Sequence, residues 1–504
     1  MSMRRIKDFS VLVVVILLMS ACGHVQEDSE QQVVEIKLSD ESILVDNHVA
    51  EKNVESAVYV ANDIVYYEEG KDISYGEGSE KDAHSVEEAS EHTVVHITEP
   101  GVYSLSGTLS RGQIAVDLGE DAKDNSEAIV TLILNEVDIT CQVAPAVIFY
   151  NVYECGNNDT DKATKDVDTS SAGANVIIAD GTENTINGSY VEKIYKADSV
   201  VLNEEGTNVE EAEKLHKYDG AFYSCMSMNI TGEKENSGVL NINAENEGLD
   251  SEMHLTINGG NINIQSGNDG INTNEDGVSV TTINGGNLTI KVTGETGEGD
   301  GIDSNGWLVI NGGNVSASAC SDSADAGIDS DMGIHINGGT VIAAGHMLDR
   351  IEEGGQTYAV FNFAQKQDGT ETFYLKNEEG NVVLETKFEN AYSVLVYSSS
   401  DLKEGTYTLW SNDRQLNGHS GEMMRGPENN DAPGMRPEHF EGMEPPEGFD
   451  KDAPPGEQGP EKPDEEMRKE PNSGRNNPQN MQDAVAEFQM KNGANMFGQI
   501  SCIE

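Results

Sequence analysis

Ile257-Asn258-Gly259-Gly260-Asn261-Ile262 is a short phrase that the chain repeats. It returns as Ile283-Asn284-Gly285-Gly286-Asn287-Leu288, as Ile310-Asn311-Gly312-Gly313-Asn314-Val315 and as Ile336-Asn337-Gly338-Gly339-Thr340-Val341. The starts lie 26, 27 and 26 residues apart. A second phrase interleaves with the first: Gly248-Leu249-Asp250-Ser251, Gly270-Ile271-Asn272-Thr273, Gly301-Ile302-Asp303-Ser304 and Gly327-Ile328-Asp329-Ser330. A fixed period in this range marks a solenoid, in which each unit buries its apolar face against the next.

The residue types choose the solenoid. Runs such as Leu255-Thr256-Ile257 and Asn261-Ile262-Asn263-Ile264 alternate apolar and polar residues, with turn residues between them. That is strand periodicity, two or three strands per repeat, with no helical window. The Asn-Gly-Gly turns need backbone conformations that glycine and asparagine adopt at little steric cost. The expected fold is all-β: a right-handed, three-sided parallel β-helix whose coils stack ~4.8 Å apart. Inward Ile, Leu and Val columns form its core. The asparagines at 258, 284, 311 and 337 are expected to hydrogen-bond as a ladder that pins the turns, and they also offer amides to a sugar.

The flanks divide the rest of the chain. Arg4, Arg5 and Lys7 precede a short apolar run, Val11 to Met19, and then Ser20-Ala21-Cys22. This resembles a bacterial lipobox, with Met19 in place of the usual Leu, and it makes Cys22 the expected lipidated first residue of the mature protein. The expected domains are 1–21 signal peptide, 22–90 acidic spacer, 91–345 β-helix, 346–414 β-rich cap, 415–484 disordered Pro/Gly/Met/acid-rich tail, and 485–504 a β segment that docks back on the folded part. Two polar stretches, 154–173 and 192–218, read as insertions or long loops. The remaining cysteines, Cys141, Cys155, Cys225, Cys320 and Cys502, show no C-x-x-C spacing, so zinc is not expected. Cys141 and Cys155 are either bridged or free thiols.

Charge narrows the partners. The chain holds 90 acidic and 31 basic residues, a formal charge of -59. A polyanion repels nucleic acid and anionic membrane surfaces, so contact with a membrane is expected through the lipid anchor alone. Between Val239 and Gly345 there are 15 acidic residues and a single base, Lys291. Stacking places Asp250, Asn272, Asp303 and Asp329 in one outward row. Glu247, Asp269 and Asp300 form a second row at the turn, with Asp325 near it. Carboxylates ~4.8 Å apart repel by roughly 1 kcal/mol in water and about 3.5 kcal/mol at an effective dielectric of about 20. Calcium relieves this, since it takes about six to eight oxygens from carboxylates and backbone carbonyls. Asp250, Asp269, Asp300, Asp303, Asp325 and Asp329 are the expected metal ligands. A solvated acidic face is the alternative.

The stacked I-N-G-G-x-[ILV] and [DE]-G-[IL]-[DN]-[ST] units, the lipobox, the cap with Ser398-Ser399-Ser400-Asp401-Leu402-Lys403-Glu404-Gly405-Thr406-Tyr407-Thr408-Leu409-Trp410, the acidic tail and the final Phe488 to Phe497 segment resemble a family of clostridial cell-surface carbohydrate-binding domain-containing proteins. The resemblance covers about residues 90 to 420 and the last 20. It implies a pectate-lyase-like fold, bound calcium, and recognition of acidic polymers such as polygalacturonate, or of cellulose, without catalysis. Trp307 and Tyr223 are the aromatic residues placed to touch a sugar. A monomer on the outer face of the bacterial cell membrane is expected. Two readings stay open beside this one. A lyase or glycosidase would need a strong base or a spaced carboxylate pair. A structural adhesin would bind calcium for stiffness alone.

Overall fold

The computed structural model describes residues 32–421 and 484–502. The fold is all-β. Among the described residues the helices are a five-residue α-helix, Val86–Ser90, and a 3-10 turn, Glu120–Asp124. The helix forms locally, because Ser85 and Glu88 close a reciprocal capping box at its start.

Strands pair in parallel with the strand one repeat later, and they do so in three stacks. The first contains Met228–Gly232, Leu255–Ile257, Val280–Ile283, Trp307–Ile310 and Gly333–Ile336. The second contains Glu183–Gly188, Val239–Ala244, Asn261–Ser266, Asn287–Val292, Asn314–Ser318 and Thr340–Gly345. The third contains Thr93–Ile97, Gly112–Asp117, Val147–Asn151, Gly220–Ser224, Glu247–Ser251 and Ile271–Thr273, extended by a bridge from Ile271 to Ile302. The first two stacks share a mixed sheet of 25 strands with the C-terminal strands, and the third belongs to a sheet of 7.

The registers superpose identical side chains. Ile230, Ile257, Ile283, Ile310 and Ile336 form one buried column; Leu240, Ile262, Leu288, Val315 and Val341 form another. Each such side chain stabilises by about 1.5–3 kcal/mol on full burial. Small β-branched residues therefore build a continuous core with few aromatics. The second glycine of each Asn-Gly-Gly turn has positive φ, 95° at Gly260 and 90° at Gly286, a conformation that L side chains rarely adopt.

The C-terminal end of the second stack is covered. Tyr392–Ser398 pairs antiparallel with Thr340–Gly345 and with Tyr358–Gln367, and the C-terminal Ala494–Cys502 runs parallel to Tyr358–Gln367. A separate apolar cluster around Phe361, Phe373, Tyr392 and Phe488 holds this part together. Covering strand edges removes the unpaired N–H and C=O groups that invite aggregation.

Two of the expected segment assignments differ from the structure. Residues 32–90 are not a spacer: Val33–Leu38 pairs in parallel with Gly101–Leu109, and Ile36 and Leu38 are buried in the main core. Its apolar residues come in short runs among acids, which masks the strand pattern in the sequence. Of the two readings of 192–218, insertion or long loop, the structure has an inserted hairpin, in which Val191–Tyr195 and Lys214–Tyr218 pair antiparallel. Residues 415–420 do not belong to a disordered tail, because Arg414–Ser420 is a strand paired with Ala494–Cys502. Cys22 and residues 422–483 of the expected tail lie outside the described residues. Cys141, Cys155, Cys225, Cys320 and Cys502 are free thiols. No helix among the described residues is long and apolar enough to cross a membrane.

Candidate functional site

The third stack carries the acidic residues in register. Tyr223 pairs with Asp250, Asp250 with Asn272, and the bridge from Ile271 to Ile302 sets Asp303 next in line. Asp329 follows, its N–H donating to Ile302 O at 2.7 Å. The order of this row follows the sequence, but its environment does not. Asp250 is fully buried and Asn272 nearly so, where an outward face was expected. The cover comes from the 191–218 hairpin, which brings Lys217 and Tyr218 over the row. Lys217 Nζ lies 2.7 Å from Asp219.

Two clusters of carboxylates result. In the buried one, oxygens of Asp219, Glu247 and Asp250 lie within 4.8 Å of one another. Burial pushes Glu247 and Asp250 well above the usual carboxylate range, and neighbouring carboxylates push further: Asp250 and Asp219 on Glu247, Asp219 on Asp250. Burial also raises Asp219, although Lys217 opposes the rise. Glu247 Oε2, Asp250 Oδ2 and Asn272 Oδ1 are buried without a hydrogen-bond partner. Leaving such an oxygen unpaired costs about 1–3 kcal/mol each, more when charged. Three orphaned oxygens beside an acidic cluster fit a divalent cation, whose ligands are oxygens of this kind.

The second cluster is Asp300, Asp303 and Asp329, again within 4.8 Å and only partly buried. Burial, then Asp349 and Asp303, push Asp329 up to about 7. Asp300 is raised well above its ordinary value by burial and by Asp269, Asp329 and Asp303. Asp269 is pushed up to about 8 by burial and by Asp303. The turn acids also grip the backbone of the next coil. Asp269 Oδ1 accepts from Asp300 N at 2.6 Å, and Asp300 Oδ1 from Ala326 N at 2.5 Å. Asp325 does the same in the opposite sense, accepting from Gly299 N at 2.6 Å, and it stands outside both clusters.

The two aromatic residues separate. Tyr223 is buried, and its hydroxyl donates to Glu252 at 2.6 Å. It packs edge-on against Tyr218, so it has no face to offer a sugar. Trp307 is half-buried at the start of its strand, paired with Val280 and Gly333. Reading the sequence missed Asp219 as a cluster member. The signal was present: Asp219-Gly220-Ala221-Phe222-Tyr223-Ser224 repeats the Glu247-Gly248-Leu249-Asp250-Ser251 phrase with one extra residue.

An acidic, all-β repeat protein with carboxylates stacked along one face is thus the class the fold and site define. A family described as "Carbohydrate-binding domain-containing protein" matches residues 91–359, more than half of the chain, and the protein belongs to it. A similar solved structure is that of a polysaccharide lyase-like protein from C. thermocellum, in a gadolinium derivative. It is 21% identical with a TM-score of 0.35, covering 64% of this chain and 98% of that one. The search of curated proteins gives no match.

Proposed function

We propose that the protein is a lipid-anchored, cell-surface binder of acidic polysaccharide, that its three stacks are the sides of a right-handed parallel β-helix, and that its acidic row takes calcium. The observation that carries the calcium is the set of orphaned oxygens on Glu247, Asp250 and Asn272 beside Asp219. Asp300, Asp303 and Asp329 would hold a second ion at the more open end of the row. Asp269 and Asp325 support that end by fixing the turn. Bound calcium inverts the local field, so that a uronate carboxylate can approach a face that would otherwise repel it.

Family membership supports carbohydrate as the ligand. The electrostatics favour binding over lyase chemistry. A lyase needs a strong base that is free to take a proton. At the buried cluster the basic neighbour is Lys217, whose ammonium is held on Asp219. Burial lowers the pKa of Lys217, but Asp219 and Glu247 more than offset this, so it stays charged. Electrophoresis through a polygalacturonate gel, with calcium or with chelator, tests the reading. Retardation with calcium alone supports it, and unsaturated product absorbing in the ultraviolet would point to a lyase instead.

A further inference from the structure

The first stack carries a groove on its outer face that the acidic row does not share. Its floor is a column, Asn229, Thr256, Thr282 and Val309, set by strand register. Beside this runs the exposed amide ladder. Asn284 Nδ2 donates to Asn258 Oδ1 at 2.9 Å, Asn311 to Asn284 at 2.9 Å, and Asn337 to Asn311 at 2.8 Å. The segment 165–170 forms a wall, and the cavity so enclosed is about 710 Å³. That is the size of a ligand site.

The wall is fixed in place. Thr169 is buried, and its Oγ1 lies 2.7 Å from both Asn229 Oδ1 and Thr256 Oγ1. Asn229 Nδ2 returns a bond to Thr169 O at 2.8 Å. At the other end, Lys165 and Asp166 lie near enough to His335 to act on its charge. The groove therefore follows the stack from Asn229 to Asn337, four strand steps or ~19 Å. A preformed wall spares a ligand the cost of ordering it.

The chemistry of the lining selects the ligand. An amide has two N–H donors and an oxygen with two lone pairs. Each inner rung of the ladder spends one donor and accepts one bond, leaving one of each. Sugar hydroxyls both donate and accept, so they match at every step. Carboxylates only accept. They would also meet Asp166 and Asp168 on the wall, where Lys165 is paired with Asp166 at 2.6 Å. Burial and then Lys165 lower the pKa of His335 beside the groove, which disfavours positive charge there.

We infer that this groove is a second carbohydrate site, which takes an extended neutral glycan without a metal ion. It rests on the carbohydrate-binding reading and assigns it a face of its own.

The test is calorimetric titration of the full chain with cellohexaose, xylohexaose, mannohexaose and hexagalacturonate, each in calcium and in excess EDTA. At least one neutral hexasaccharide is expected to bind, with a Kd that chelator changes by less than twofold. Thr282→Tyr, which fills the groove from a half-buried outward position, should weaken that binding at least tenfold. It should leave the melting temperature and the calcium-dependent galacturonate binding unchanged. Asn311→Ala, which removes one rung, should weaken neutral binding about threefold to tenfold and serves if the tyrosine variant does not fold. No neutral binding, neutral binding that needs calcium, or binding unaffected by both variants would overturn the inference. Loss of galacturonate binding alone would count against the acidic-row reading and leave this one standing.

Discussion

The backbone N–H of Asp300 donates to Asp269 Oδ1 at 2.6 Å, and Asp300 in turn accepts from Ala326 N, so two successive acidic side chains are spent on holding the turn that follows. The row is consequently rigid but electrostatically costly, and its cost depends on pH. Asp269 is pushed up to about 8 and Asp329 up to about 7. Both lie above an unfolded value near 4. Folding therefore favours the protonated acids. Their contribution is fully present below about pH 4 and is lost as pH rises through about 7 to 8. In EDTA the melting temperature should fall between pH 5 and pH 8.5. Calcium should flatten that fall, because it binds the deprotonated form. A chelated protein that gains stability with rising pH over this range would contradict the assignment.

Asp250→Asn removes an ionisable group from the buried cluster and provides a permanent donor for a neighbouring oxygen. In chelator it should stabilise the fold by about 1–3 kcal/mol, the cost of a buried unpaired polar group. In calcium the stabilising effect of the ion should shrink. Asp303→Asn, at the more open cluster, should weaken calcium binding about tenfold and change the melting temperature in chelator little. Denaturant melts with and without calcium read both effects.

Gly286 has φ 90°, and a Cβ there would meet Gly260 O at 2.7 Å and the Gly259 carbonyl carbon at 2.9 Å. Gly286→Ala should cost at least about 2 kcal/mol, since backbone strain of ~1–2 kcal/mol adds to a clash with backbone that cannot yield. Gly380→Ala, with positive φ but nothing within 4 Å of the added Cβ, should cost less. Equal losses in the two variants would mean that coil spacing does not set the penalty.

Cys22→Ser should release the protein into the medium or leave its precursor unprocessed, because the mature anchor would be missing. Membrane fractionation reads this directly. Normal retention of the variant would remove the lipid anchor from the account.

The repeat period, the inward columns and the order of the acidic row were legible, because strand alternation fixes which residues share a face. Environment was not. Asp250 sits on the expected row, yet it is buried because the 191–218 hairpin folds over it, a long-range event no local pattern announces. Tyr223 is lost as a sugar contact for the same reason. Asp219 escaped notice through one extra residue in its phrase. The groove wall escaped too, since Thr169 reaches Asn229 and Thr256 across 60 and 87 residues of sequence. Strand pairing of residues 32–90 was hidden by their acidic composition, although Ile36 and Leu38 supply the apolar contacts.

Calcium-dependent binding to the acidic row is the central claim, and one titration addresses it most directly: polygalacturonate into the full chain by calorimetry, in calcium and then in excess EDTA, with melting temperatures taken on the same samples. The account predicts binding and a raised melting temperature with calcium, and loss of both with chelator. Unchanged binding and an unchanged melting temperature in EDTA would mean that Asp219, Glu247, Asp250, Asp300, Asp303 and Asp329 hold no ion and that the sugar is bound elsewhere.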